Sequence, residues 1–180
     1  MNIVTMARLN RAASDVQDEL NRHGFWDEAT ASPEVYLVPF GAAFGWQYYG
    51  RDSSICIPAV GLARLSRVFG CEHTSLRDVL RHEYGHVVAD VHRGLMRSRQ
   101  FRAAFGDGHH WNQGYEYDPA VFVSEYATKA PAEDFAETFM FYLKHRGALP
   151  GRFRRESIRR KWQFVKELSG CISLGRRKFS

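Results

Sequence analysis

The segment His82-Glu83-Tyr84-Gly85-His86 places two histidines four residues apart, with a glutamate directly after the first. In a helix, residues i and i+4 lie on one face with Cβ atoms about 5–6 Å apart, so both imidazoles can reach one Zn²⁺. Glu83, about 100° around the helix from His82, can then take a proton from a water on the metal. The spacing predicts a zinc site that activates water. The alternative is an amphipathic helix whose histidines hydrogen-bond to carbonyls or to solvent.

A catalytic zinc site needs a third protein ligand as well as an open position. His92 stands where metzincin peptidases have a third histidine, but Ala89 replaces the glycine that lets the chain leave the helix there. In a continuing helix, His92 lies about 15 Å along the axis from His82, out of reach. We expect His92 near a helix end, where the dipole favours it. We expect His109 and His110, in a glycine-rich loop, to be ordinary exposed histidines.

The other candidate lies in APAEDFAETFMFYL, residues 130–143, where acids enter an apolar run. Glu133 and Glu137 are spaced i and i+4, which destabilises a helix unless a cation intervenes. A metal would supply that charge, with Glu133 as ligand and Glu137 accepting a hydrogen bond from a ligand histidine. The helix dipole alone explains acids in a first turn, Glu133 and Asp134, but not Glu137. We expect Asp134 to be only a favourable first-turn charge.

HEYGH followed by Tyr126, Glu133, Phe135-Ala136 and Glu137 resembles the zincin metallopeptidases of the gluzincin type, most closely the lethal-factor-like group, over about residues 46–145. The resemblance implies zinc ligands His82, His86 and Glu133, and the general base Glu83. It also implies that Glu137 supports a ligand histidine and that Tyr126 donates to the oxyanion of the scissile carbonyl. The resemblance covers only the catalytic unit of the lethal-factor-like proteins. Tyr126 also fits a half-buried aromatic residue with no role in catalysis.

Hydrophobic periodicity and turn residues predict an α+β fold, zincin-like and mainly helical, with a small mixed sheet beside the active-site helix. We expect a single domain over residues 1–180. In the zincin architecture an edge strand pairs with extended substrate, and by position this would be about Ser54–Val60. Trp46, Tyr48 and Tyr49 are candidate pocket walls, although strand aromatics more often belong to the core. The predicted elements are helices over 3–22, 73–94, 131–146 and about 151–170, and extended runs over 34–40 and 46–60.

The net charge of +5 is concentrated at the end of the chain. Residues 151–180 hold ten Lys or Arg against two acids, while the rest is slightly acidic. Apolar residues recur there at helical spacing, which favours an amphipathic helix with a solvated basic face over a nucleic-acid site. Three widely separated cysteines indicate free thiols. No apolar run is long enough for a membrane span, and charges near the start of the chain predict a cytoplasmic protein; export without a signal peptide stays open.

We therefore expect a zinc-dependent endopeptidase that acts on a protein or peptide substrate. Zn²⁺ is the expected cofactor. One alternative is a non-catalytic regulatory domain in which zinc holds two helices together. Another is a metalloprotease that associates with nucleic acid through the basic C-terminal segment.

Overall fold

The structure is a computed structural model that describes residues 3–39, 42, 45–49, 52–61, 64, 75–106 and 115–179. Within these residues it contains six α-helices, two short 3-10 helices and one three-stranded sheet. The α-helices are α1 (Met6–Arg22), α2 (Leu76–Val91), α3 (Arg93–Met96), α4 (Arg99–Phe105), α5 (Pro131–Lys144) and α6 (Glu156–Ser173). The 3-10 helices are Tyr126–Thr128 and Gly151–Phe153, and the strands are β1 (Glu34–Val38), β2 (Gly45–Tyr49) and β3 (Asp52–Pro58). The predicted α+β class with a small mixed sheet is confirmed; the zincin likeness and the single domain stay predictions.

The sheet has the order β1-β3-β2, with β1 parallel and β2 antiparallel to the central strand. On β3, Ile55 pairs with Val35 on one side and with Trp46 on the other. The prediction that the strand from about Ser54 to Val60 is an edge strand is therefore wrong, because strands of the same sheet occupy both its sides. The strand that lies against α2 is instead β2.

Residues close in sequence mark the ends of helix α2 and the start of α5. The Ser75 side chain accepts a hydrogen bond from the Asp78 N–H at 3.1 Å, which satisfies one of the free amides of the first turn. The helix continues through Ala89, as expected, and His92 is its C-cap. Pro131 opens α5, a position where its missing N–H costs nothing.

Helix α5 is buried on almost every side, as its apolar composition predicts. It packs against α2 on one side and against α6 on another. Phe135 and Phe139 are fully buried and in ring contact with each other. Phe135 also contacts aromatic rings of α4 and α6, those of Phe101, Phe105 and Phe164. The aromatic core thus determines where the carboxylates of α5 lie.

Helix α6 is amphipathic, as predicted, and begins at Glu156, after the second 3-10 helix. Its apolar residues Ile158, Trp162, Val165 and Leu168 are buried. Nine of the ten basic residues of the C-terminal segment are exposed: Arg152, Arg154, Arg155, Arg159, Arg160, Lys166, Arg176, Arg177 and Lys178. Lys161 is buried, so the expectation of a solvated basic face is wrong at this residue.

Two further expectations concern cysteines and membranes. Cys56 and Cys171 are free thiols, and Cys71 lies outside the described residues. None of the helices that the structure describes combines the length and apolar character needed to cross a membrane.

Candidate metal centre

Three potential ligand atoms from two helices converge at the interface of α2 and α5. His82 Nε2 lies 3.2 Å from His86 Nε2, and Glu133 Oε2 lies 3.2 Å from the first and 3.3 Å from the second. The histidines are one turn apart on α2, and Glu133 reaches them from the first turn of α5. We call these three atoms the donor triangle.

The dimensions of the donor triangle fit a tetrahedral metal site. Atoms at about 2.0–2.1 Å from a tetrahedral Zn²⁺ lie about 3.3–3.4 Å from one another, close to the observed sides. Glu133 Oε2 is buried and has no hydrogen-bond partner of acceptable geometry among the described residues. Three electron-rich atoms at this separation repel one another unless a cation lies between them. Two imidazoles and a carboxylate with room for a fourth ligand are typical of catalytic zinc.

A close approach of the two helices brings Glu133 to the histidines. Gly85 faces α5 at the crossing point, where an added Cβ would lie 2.9 Å from the Cα of Ala136. Such a distance is shorter than any real contact of a Cβ, so only glycine fits without displacing α5. The glycine inside HEYGH therefore has a packing role that its spacing alone does not reveal.

Glu137 links the donor triangle to the loop before α5. Its Oε1 lies 2.8 Å from His82 Nδ1, and its Oε2 accepts a 2.6 Å hydrogen bond from the Ser124 hydroxyl. A carboxylate at Nδ1 keeps the proton there and leaves the Nε2 lone pair of neutral His82 for the donor triangle. The Ser124 Oγ also accepts a hydrogen bond from the Ala127 N–H at 3.3 Å. Sequence reasoning missed Ser124, since nothing in its spacing marks it.

The electrostatics of the donor triangle favour positive charge. Burial lowers the pKa of His82, but Glu133 and Glu137 outweigh this and raise the pKa to about 10. Burial acts to raise the pKa of Glu133, yet the His82 and His86 imidazoles hold it well below its usual range. Without a metal, a proton on His82 supplies the cation. Metal binding must displace that proton, so the affinity for metal falls in acid.

Glu83 is buried and lies outside the group of three potential metal ligands. Its Oε2 accepts a 2.6 Å hydrogen bond from the backbone N–H of Trp46 on β2. The indole Nε1–H of Trp46 donates to Asp90 Oδ2, also at 2.6 Å. The half-buried Trp46 ring, a candidate pocket wall, thus lies between β2 and α2. For Tyr48 and Tyr49, the other candidate walls, the structure describes the backbone but not the side chains, so their role stays a prediction.

Tyr126 lies beside the donor triangle. Its ring centroid is 5.5 Å from that of His82, in an edge-to-face arrangement, and the side chain is half-buried. The Lys129 ammonium sits 4.0 Å above the Tyr126 ring. The Tyr126 ring thus packs against His82 on one side and carries a cation over its face.

His92, the other candidate histidine that the structure describes, is not part of this cluster. His92 Nε2 lies 3.4 Å from Asp27 Oδ2 and 3.4 Å from Thr30 Oγ1, at the end of α2. It therefore ties the end of the helix to the loop after α1. His109 and His110 lie outside the described residues, so their assignment as exposed loop histidines stays a prediction.

Asp134 has a different partner from its neighbours. Its Oδ2 lies 2.6 Å from the Nζ of Lys161 on α6, and both side chains are almost fully buried. The expectation that Asp134 is only a first-turn charge is wrong, because it neutralises a lysine inside the protein. Sequence spacing could not reveal this pair, since its members lie on separate helices.

No curated protein and no solved structure matches the chain. Residues 71–152 match the model of a family described as "Putative zinc-binding metallo-peptidase". The matched range contains the donor triangle together with Glu83, Tyr126 and Glu137. The match suggests peptidase activity.

Proposed function

We propose that this chain is a zinc-dependent endopeptidase of the zincin type, in which His82, His86 and Glu133 hold the metal. The observation that carries the proposal is the donor triangle, whose sides of 3.2–3.3 Å suit tetrahedral zinc. The match to a metallopeptidase family over residues 71–152 supports the same conclusion. The substrate class is protein or peptide.

Zn²⁺, when bound, supplies a Lewis acid that polarises a carbonyl oxygen and lowers the pKa of water. The chain's own contribution begins with Glu137, which holds His82 by its Nδ1 and is itself held by Ser124. This arrangement fixes the ring orientation and the tautomer of the histidine. Partners of this kind typically change metal affinity or activity by about 10- to 100-fold.

Glu83 is the proposed general base. The Trp46 N–H holds its Oε2, and its Oε1 has no hydrogen bond to any residue that the structure describes. Oε1 is thus the oxygen that takes a proton from the attacking water. The same carboxyl group then gives this proton to the leaving amine, so one residue serves both steps of hydrolysis.

Tyr126 is the proposed hydrogen-bond donor to the substrate oxygen. As negative charge develops on the scissile carbonyl, a phenol beside the metal site stabilises that charge. The cation of Lys129 over the ring draws electron density from the phenol and strengthens it as a donor.

The deciding experiment compares the zinc-loaded protein with its Glu83→Gln variant on a mixture of proteome-derived peptides. We expect internal peptide bonds to be cleaved by the unaltered protein and cleavage to fall by at least about a hundredfold in the variant. Zinc content and thermal unfolding should be unchanged, because Glu83 is not part of the donor triangle. Glu28→Gln, at an exposed position, is the matched control and should retain full activity.

The same experiment separates the proposal from a purely structural zinc site. A fully zinc-loaded protein that cleaves no peptide would favour the non-catalytic alternative. Cleavage by Glu83→Gln at the rate of the unaltered protein would refute the proposed mechanism.

A further inference from the structure

Trp46 hydrogen-bonds to helix α2 at two places. Its backbone N–H donates to Glu83 Oε2 and its indole Nε1–H donates to Asp90 Oδ2, both at 2.6 Å. Glu83 and Asp90 are seven residues apart, about two helical turns, so their carboxylates lie on the same face of α2. One tryptophan thus bridges two turns of the helix that carries the proposed base.

β2 is an edge strand, with β3 on one side and no other described strand on the other. Gly45 pairs with Cys56 and Trp46 pairs with Ile55 on β3. Because successive N–H groups of a strand point to opposite sides, only alternate residues of β2 bond to β3. The N–H of Trp46 donates to Glu83 and is therefore one of those that point away from β3.

Gly45 allows β2 to lie close to the carboxylate of Glu83. Its φ is +84°, and a Cβ there would lie 3.3 Å from Glu83 Oε2. A residue with a side chain would be strained in this conformation and would press on the carboxylate. A Cβ at residue 45 would also lie 3.5 Å from Oε1, so Gly45 leaves room for the whole carboxylate, and the Trp46 N–H holds its Oε2.

Asp90 also forms an ion pair with Arg93, at 3.5 Å between partly exposed side chains. Exposed ion pairs of this length contribute little to stability. The short hydrogen bond to the indole is a stronger interaction, since its acceptor is charged and Trp46 packs against the hydrophobic core. Asp90 is thus well placed to control the position of β2 on α2.

We propose that Asp90 and Trp46 are positioning residues that fasten the edge of the sheet to α2 and hold Glu83 in its reactive orientation. We call their two hydrogen bonds the Trp46 latch. The inference rests on the proposed function of Glu83. Neither residue need touch the substrate, since both act through the carboxylate of Glu83.

The test uses zinc-loaded protein with three substitutions. Asp90→Ala removes the acceptor, Trp46→Phe removes the indole donor but keeps a ring, and Asp90→Asn keeps an acceptor oxygen without the charge. NMR hydrogen exchange at the Trp46 backbone amide reports the hydrogen bond to Glu83 directly. We expect exchange about tenfold faster in Asp90→Ala and a smaller increase in Asp90→Asn, which keeps a neutral acceptor.

Kinetics then show whether the latch positions the base. In Asp90→Ala and Trp46→Phe we expect kcat to fall about tenfold, with KM and the zinc dissociation constant unchanged. Asp90→Asn should recover part of the lost kcat. A merely structural role would not separate kcat from KM and zinc affinity in this way. Unchanged exchange in Asp90→Ala, unchanged kcat, or a parallel loss of zinc affinity would overturn the inference.

The outcomes distinguish this inference from the proposed function. If the unaltered protein shows no cleavage that depends on Glu83, the proposed function fails, and the positioning role fails with it whatever the exchange rates. If Glu83-dependent cleavage is present and the latch substitutions change neither exchange nor kcat, only the latch is refuted.

Discussion

Helix α5 carries buried carboxylates on two of its sides, and these two sides meet different partners. Towards α2, Glu133 joins two histidine nitrogens and Glu137 holds His82. Towards α6, the neighbouring residue Asp134 forms an ion pair with Lys161. Adjacent residues of one helix thus belong to two separate buried charge clusters.

The clusters differ in whether the protein itself supplies the balancing charge. Lys161 Nζ contacts Asp134 Oδ2 and donates to the Val121 carbonyl, both at 2.6 Å, so this pair is balanced in charge by the protein itself. The donor triangle is built only from groups that can donate electron pairs, and its balancing cation must be a proton or a metal. A buried carboxylate alone therefore does not indicate a metal site; the convergence of several donor atoms does.

The pKa values of the neighbouring residues Glu133 and Asp134 are shifted in opposite directions. Histidines hold the pKa of Glu133 below its usual range although burial opposes this. For Asp134, burial dominates over the attraction of Lys161 and raises the pKa to about 6. Burial also lowers the pKa of Lys161. The Asp134–Lys161 pair is costly to bury, whereas the donor triangle favours the ionised carboxylate of Glu133.

The largest expected effect is the loss of stability when the Asp134–Lys161 pair is broken. Asp134→Asn leaves the Lys161 ammonium buried without a counter-ion, which should cost about 3–5 kcal/mol in the free energy of unfolding measured with urea. Asp15→Asn, which breaks the exposed pair with Arg77, is the matched control and should cost less than about 1 kcal/mol. Equal losses in the two variants would show that the buried pair is not structural.

The next effect concerns the crossing of α2 and α5. Gly85→Ala forces a Cβ against the backbone of Ala136, which should cost about 1–3 kcal/mol of stability and weaken zinc binding. Gly170→Ala, in α6 with open space around it, is the control and should stabilise by up to about 1 kcal/mol. If Gly85→Ala also gains stability, α2 and α5 cannot be in close contact at Gly85.

The smallest effect concerns the support of the donor triangle. Ser124→Ala removes the hydrogen bond to Glu137, so His82 should be held less firmly and zinc affinity should fall about tenfold. Competition with a chelator measures this, and Ser124→Thr, which keeps the hydroxyl, should recover most of the affinity. An unchanged dissociation constant in Ser124→Ala would mean that Glu137 needs no such support.

Sequence reasoning performed well where the determining interactions are local. The helix that carries HEYGH, its Ser75 cap and its passage through Ala89 depend on residues within a few positions of one another. The proline at the start of α5 is a similar signal. The α+β class follows from the same local patterns.

The features that sequence reasoning missed depend on contacts between distant parts of the chain. The order of the three short strands is set by pairing across the sheet, so the edge strand was misplaced. Asp134 and Lys161 meet only because α5 and α6 pack together. The same holds for Trp46 with Asp90, and for the need for glycine at position 85.

The central claim is that the donor triangle binds one zinc ion, and anomalous diffraction at the zinc edge from crystals of the zinc-loaded protein tests it most directly. The account predicts a single strong peak about 2.0–2.1 Å from His82 Nε2, His86 Nε2 and Glu133 Oε2. In Glu133→Gln the peak should weaken strongly under the same conditions. A peak bound by His92 or by a cysteine, with none between α2 and α5, would contradict the account.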